Sequence, residues 1–418
     1  MSDWAFIEHI TNQLMRPRSG DAKHPTLWPS EASATYCDNG ETITVGKCKR
    51  AMFFRYLVDS YKFYKKYKIW RPLVERLERD AKPPDKYMLW IWAAGNQAEE
   101  YLIDQAKKSG VYVSEQVPVY IKSHNISGKK DIESYNPESG KLTIIEAKSV
   151  YGFGANNTLG TESQRRRGVM GTPRDSNLMQ IAIYHWWSAS LDPAYEESRL
   201  VYIARDTGRY AEYQVRTINE NETIHIEYRS WHPYIGIWKR VPYTINNILE
   251  NYEYIQKAID GGIIPPRDYD LKWSEERLKK AYEADELNKT DKKKYEKTIS
   301  RREENTWIQT LQAIENNDIL ISSAYSEKER FLAPVRKLLE AYAETNTLIN
   351  TGPCDRTNLP DGYIAKSAKL KTKLIAALRA IKPKKPLAEL EKGDWQCKFC
   401  KWATICYDDK GYPQTKLK

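Results

Sequence analysis

Two strand-forming runs around Asn136-Pro137-Glu138-Ser139-Gly140 constrain this chain more than any other feature. Asn, Pro and Gly favour turns for separate reasons: Asn bonds its own backbone, Pro presets φ, and Gly accepts positive φ. The flanking runs 130–135 and 141–147 therefore pair as a hairpin centred near position 138. That register sets Asp131 opposite Glu146, with Cβ atoms roughly 4.5–5.5 Å apart. Two carboxylates so placed repel unless a cation sits between them. Side chains alternate along a strand, so Lys148 shares the face of Glu146 and stands beside the pair.

Opposed carboxylates, an adjacent ammonium and the apolar residues Leu142, Ile144 and Ile145 holding them rigid are what metal-assisted phosphodiester hydrolysis requires. Asp131 and Glu146 would ligate Mg2+ or Mn2+, with the Ala147 carbonyl as a further ligand. Lys148 would orient a water or stabilise the transition state. An exposed hairpin with an ordinary Glu–Lys edge shows the same D-x14-E-x-K spacing, so the rest of the chain has to decide.

With 418 residues the chain predicts two or three domains. No window approaches the roughly 20 apolar residues of a membrane span. The first residues, with Asp3 and Glu8 interrupting the apolar ones, do not read as a signal peptide, so an intracellular, cytoplasmic protein is expected. A formal net charge of +10 favours a polyanionic partner, and 13 Trp and 29 Tyr supply rings that stack on bases as readily as they pack in cores.

The patterning predicts helices over 49–57 and 87–108, strands over 111–121, 130–135 and 141–147, a long polar loop, a helix over 177–188, and strands over 199–204, 210–216 and 223–228. This is a mixed α/β core spanning 48–266, preceded by a segment 1–47 whose first 36 residues read as loosely structured. Beyond Pro265-Pro266 the chain turns charged and helix-prone through 392, with a stretch at 366–385 that carries Lys and Arg but no acid. That stretch fits a phosphate backbone or an acidic partner equally well.

Residues 393–418 hold Cys397, Cys400 and Cys406 as C-x2-C-x5-C, three thiols that need a fourth from elsewhere. Spacing alone allows zinc or an iron–sulfur cluster.

Together these motifs resemble the RecB-like branch of the PD-(D/E)xK nuclease superfamily, particularly its iron–sulfur members among CRISPR-associated adaptation nucleases and AddB-type helicase–nucleases. Gly128-Lys129-Lys130-Asp131-Ile132 resembles the branch's metal-binding Asp motif and Glu146-Ala147-Lys148 its E-x-K. Gln180-Ile181-Ala182-Ile183-Tyr184 is similar to its Q-x3-Y helix, in which Gln180 and Tyr184 share one face. Gly95-Asn96-Gln97-Ala98-Glu99 resembles its G-x3-H/E helix, with Glu99 in place of the more frequent His and Glu100 as the alternative ligand. One Cys before the core and three after it match Cys48 with Cys397, Cys400 and Cys406, Cys37 being a possible substitute and Cys354 a plain buried thiol.

The resemblance implies a restriction-endonuclease-like mixed sheet flanked by helices, a [4Fe–4S] clip joining the N- and C-terminal regions, and a helical insertion over 267–392. It implies a metal-dependent DNA exonuclease acting on single-stranded or end-containing DNA in recombination, repair or mobile-element replication. Gln180 and Tyr184 would place the strand, and the loop 151–157 with Arg165-Arg166-Arg167 would close over it or stay a solvated surface. No Walker A pattern occurs, so helicase activity would come from a recombination partner. The alternative is a DNA-binding or assembly module that keeps the fold and cluster with little hydrolysis.

Overall fold

The computed structural model describes residues 24–64, 67–83, 86–299, 337–338, 340–342, 344–345, 363–379 and 390–407. The chain divides into two compact units, one of residues 1–272 with 393–418 and one of 273–392.

The first unit is built on a seven-stranded mixed sheet in the order β3-β4-β5-β6-β7-β8-β9. Its strands are β3 (Tyr112–Ile121), β4 (Ile126–Tyr135), β5 (Leu142–Val150), β6 (Tyr195–Ala204), β7 (Tyr210–Glu220), β8 (Thr223–His232) and β9 (Lys239–Thr244). Neighbours are antiparallel except β5 and β6, which run parallel from Leu142↔Tyr195 to Val150↔Ala204. A parallel pair needs a crossover connection, and the residues between these strands supply it. β9 contains Pro242 and lies at the sheet edge, where a missing N–H costs least.

Among the described residues before 273 this unit has seven α-helices: α1 (Lys49–Tyr64), α2 (Arg71–Arg79), α3 (Lys86–Ser109), α4 (Gly152–Leu159), α5 (Glu162–Arg166), α6 (Asp175–Leu191) and α7 (Ile245–Asp260). Helices α3, α6 and α7 pack on the sheet. The fully buried core joins Phe53, Phe54 and Leu57 of α1 to Ile181 and Ile183 of α6 and to Leu200, Tyr202 and Tyr213 of the sheet. At about 25 cal/mol per Å2 of apolar surface, burial of this kind is the main force holding the layers together. Helix α7 starts at Thr244 because Thr244 Oγ1 accepts from the Asn247 N–H at 3.2 Å and Asn247 Oδ1 accepts from the Thr244 N–H at 3.1 Å.

Two parts of the sequence reading change here. Residues 24–36 are not loose: Leu27 is fully buried, Pro29 opens a short 3-10 turn, and β1 (Ser33–Asp38) pairs with β2 (Glu41–Gly46). The polar stretch after Lys148 holds α4 and α5, the latter begun by a Thr161–Gln164 capping box.

The second unit contains α8 (Glu275–Glu283), capped by Ser274 Oγ, which accepts from the Arg277 N–H at 3.2 Å. Ala281, Leu287, Tyr295 and Leu390 form its small described core. Its α9 (Tyr363–Arg379) covers the described part of the basic stretch. No helix among the described residues is long and apolar enough to cross a membrane.

His185 of α6 gives the fold a pH signature. It is 3% exposed, Nδ1 lies 3.0 Å from Thr217 Oγ1, and burial pushes its imidazole down to about 4. A folded pKa below the unfolded 6.5 means that the unfolded chain takes up the proton first as pH falls. Stability is therefore fully present above pH 6.5 and declines toward pH 4, by about 3 kcal/mol from this group. Urea unfolding at pH 7 and pH 4.5 is expected to show the difference shrink in His185→Gln; an unchanged difference would rule His185 out as its source.

Candidate functional site

The β4–β5 hairpin follows its turn chemistry. Asn136 Oδ1 accepts from the Glu138 N–H at 3.0 Å, and Gly140 takes φ +72°. Ile132 pairs with Ile145 and Tyr135 with Leu142, so Asp131 and Glu146 stand one step beyond the last ladder pair. There Asp131 Oδ2 accepts from the Ala147 N–H at 2.9 Å. The N–H and C=O of one strand residue point to the same edge, so the Ala147 carbonyl also faces Asp131.

Glu146 is 0% exposed. Its Oε1 accepts from Lys148 Nζ, while Oε2 is buried and has no hydrogen-bond donor among the described residues. Burial raises the Glu146 acid to about 8, with Lys148 opposing and Asp131 adding to the rise. Asp131 is raised by burial too, again against Lys148. Lys148 ends above its ordinary value because Glu146 and Asp131 together outweigh burial, its largest single influence. A buried acceptor without a donor, beside a second carboxylate, is costly unless a cation, or a proton shared between the two acids, completes it.

Glu99 of α3 lies within electrostatic reach of Asp131 and Lys148, and Glu100 is exposed. Burial, then the Asp131 charge, raises the Glu99 acid. Gln116 Nε2 donates to Glu99 Oε1 at 2.6 Å. The sequence reading missed Gln116. It stands opposite Asp131 in the β3–β4 register, between Glu115↔Ile132 and Val117↔Lys130, at φ +53°. A non-glycine residue held there costs about 1–2 kcal/mol, and a Gln inside a strand carries no linear signal for it.

Gln180 and Tyr184 come to the same place. They are 7% and 2% exposed, and the Tyr184 hydroxyl bonds the Gln180 side chain and the Lys129 backbone within reach of the Glu146 and Asp131 charges. Burial first, then Glu146, holds the Tyr184 phenol above its ordinary range. Gly128 is required here, because a Cβ would strike the Tyr184 hydroxyl. The Arg triplet is held locally: Arg165 Nη1 donates to Tyr210 O at 3.1 Å, Arg166 pairs with Glu162, and Arg167 Nε donates to Ser163 O at 3.3 Å.

The cysteines form a second centre. Gly46, at φ +90°, lies against the Ala32 backbone with no room for a side chain. Its carbonyl accepts from Gln396 Nε2 at 2.7 Å and from Tyr269 Oη at 2.9 Å. The first of these bonds joins the segment before Cys48 to the helix α10 (Trp395–Lys398), which precedes α11 (Ala403–Cys406). Cys48, Cys397, Cys400 and Cys406 all line one cavity of about 450 Å3. Cys37 is exposed on β1 opposite Thr42, and Cys354 lies outside the described residues.

Arg50 lines the same cavity; its Nε donates to Pro265 O at 2.6 Å, while Nη1 is buried with no partner among the described residues. Burial pushes the thiols up, Cys397 to about 12 and Cys406 to about 11, with Arg50 opposing the rise at Cys406. Four sulfur donors and a buried arginine that bonds Cys406 fit an anionic metal–thiolate centre. Among the described residues no three His, Cys, Asp or Glu side chains are grouped to hold a single metal ion.

No family model matches the chain, and no curated protein or solved structure matches it.

Proposed function

We propose that this chain is a metal-dependent DNA nuclease of the RecB-like PD-(D/E)xK type, an exonuclease working inside the cell on single-stranded or end-containing DNA in recombination, repair or mobile-element replication. The observation that carries the proposal is Glu146 Oε2, buried without a donor beside Asp131 and backed by Lys148 on Oε1. Asp131, Glu146 and the Ala147 carbonyl offer oxygen donors that suit a hard cation, Mg2+ or Mn2+, and Glu99, within electrostatic reach of Asp131, would complete the shell. The mixed sheet with its parallel β5–β6 pair is consistent with a restriction-endonuclease-like core.

When bound, the divalent ion supplies Lewis acidity that activates water and offsets phosphoryl charge. Asp131 is fixed by the Ala147 N–H and Glu99 by Gln116, so both carboxylates are oriented before substrate arrives. Lys148, anchored on Glu146, offers its remaining N–H donors to the attacking water or a phosphoryl oxygen. Gln180 and Tyr184 form the buried floor on which the scissile strand is positioned.

The four cysteines would hold a [4Fe–4S] cluster, with Arg50 compensating its negative charge. Four thiols set around one cavity fit zinc or an iron–sulfur cluster, and the resemblance to the iron–sulfur branch favours the cluster. The cluster's contribution is to tie Cys48 to the C-terminal segment.

Calorimetric titration of Mn2+ into wild type and Asp131→Asn, with DNA hydrolysis followed in the same preparations, tests the proposal. Wild type is expected to bind Mn2+ and hydrolyse DNA, and the variant to lose both. DNA binding without metal uptake or hydrolysis would favour a binding or assembly module.

A further inference from the structure

A second cavity, of about 680 Å3, adjoins the cysteine centre through shared residues: Lys47, Met88, Tyr269, Trp395, Gln396 and Phe399 line both. Two cations, Lys47 and Arg174, line the second cavity and form no ion pair among the described residues. Lys47 Nζ has no ion pair or hydrogen bond among the described residues, lies 5.7 Å from the Trp395 ring centre, and is within electrostatic reach of Glu31 as well as of Arg174 and Lys148. Arg174 is exposed, and its guanidinium likewise pairs with no carboxylate among the described residues.

Room for that guanidinium is built in, since a Cβ at Gly154 would come within 2.8 Å of Arg174 Nη2. Asp175, the one carboxylate on the lining, is turned to Tyr243, whose hydroxyl donates to Asp175 Oδ1 at 2.9 Å. Around the cations stand two exposed rings, Trp395 at 57% and Phe399 at 72%. Unpaired cations beside exposed rings are the elements of single-strand recognition, in which cations take phosphates and rings take bases. The volume falls within the roughly 300–1,000 Å3 of small-ligand sites and admits a nucleotide or two, not a duplex.

We infer that this cavity is a subsite for single-stranded DNA, with a backbone phosphate between Lys47 and Arg174 and a base against Trp395 or Phe399. It rests on the nuclease reading and deepens it. Lys47 is followed in the chain by Cys48, and Trp395 and Phe399 flank Cys397. The segments that carry the thiols therefore form one wall of the substrate site, so the cysteine centre positions substrate as well as joining the chain's ends.

The test is fluorescence anisotropy of a labelled oligo-dT in Ca2+ at several salt concentrations, with DNA cleavage in Mn2+ measured separately. Lys47→Gln/Arg174→Gln is expected to weaken binding at least about 30-fold and to lower the salt slope by about 2, since each phosphate contact contributes about one. Phe399→Ala/Trp395→Ala, which removes only exposed rings and spares the fold, is expected to weaken binding about 10-fold or more with the salt slope unchanged. Lys257→Gln, remote and paired with Glu253, should match wild type.

Duplex DNA and inorganic phosphate should compete poorly; if phosphate competes as well as oligo-dT, the strand subsite is wrong. Cleavage by wild type together with unchanged affinity and slope in both double variants overturns this inference alone. Wild type that binds oligo-dT through these residues but never cleaves overturns the nuclease reading alone. Absence of any single-strand binding overturns both.

Discussion

Replacing Glu146 with Gln is expected to reduce metal-dependent DNA cleavage by at least about 10^3-fold, a loss of roughly 4 kcal/mol of transition-state stabilisation. The same change should leave the metal-free protein as stable as wild type or more so. Glu146 is fully buried, its Oε2 has no donor among the described residues, and Asp131 stands beside it, so the folded protein carries a cost at this position that a bound cation, or a proton held between the two acids, offsets. An amide can still accept from Lys148 through its oxygen while offering N–H donors to Asp131. Cleavage rates in Mn2+ and thermal unfolding in EDTA check the two halves. A variant that cleaves like wild type would remove Glu146 from the chemistry, and one that unfolds much earlier in EDTA would make its role structural.

The second large effect concerns the cysteines. Cys397→Ser/Cys406→Ser is expected to remove iron, labile sulfide and absorbance near 400 nm, and to lower the unfolding temperature by about 10 °C. The reasoning is that of any covalent clip: tying together residues this far apart restricts the unfolded chain by about 4–5 kcal/mol, at roughly 2–4 °C per kcal/mol for a large domain. Cys37→Ser should change neither property, because Cys37 is exposed on β1 and does not line the cavity. Stoichiometric zinc without the absorbance would replace the cluster with a zinc site.

The hairpin was the most legible part of the fold. Its turn residues fix one register, and the ladder keeps it, with Ile132 facing Ile145. Helix spacing puts Gln180 and Tyr184 on one face, which a linear pattern can carry, whereas the proximity of that face and of Glu99 to Asp131 was implied by the resemblance and by no period in the sequence. Cys48 rather than Cys37 lines the thiol cavity, a choice that spacing alone left open.

What stayed illegible has physical reasons. Helix α4, Gly152-Phe153-Gly154-Ala155-Asn156-Asn157-Thr158-Leu159, has the composition of a loop and is helical through tertiary bonds: Arg209 Nη2 donates to Asn156 Oδ1 at 3.0 Å and Tyr213 Oη donates to Thr158 O at 2.5 Å. The Thr161–Gln164 capping box of α5 was visible in the sequence as T-x-x-Q but lay inside a polar run. The left-handed backbone at Gln116 and the meeting of Lys47, Arg174 and Trp395 depend on contacts between distant segments, for which a single sequence offers no period.

The most direct test of the central claim is the degradation of end-labelled single-stranded and duplex DNA by the anaerobically purified chain, with and without Mn2+ or Mg2+, beside Lys148→Ala. Cleavage that requires the metal and disappears in Lys148→Ala, with a product ladder that reports polarity, is the predicted result. Wild type that stays inert with its cluster intact, binds DNA no differently from the variant and gains nothing from an added partner would contradict it.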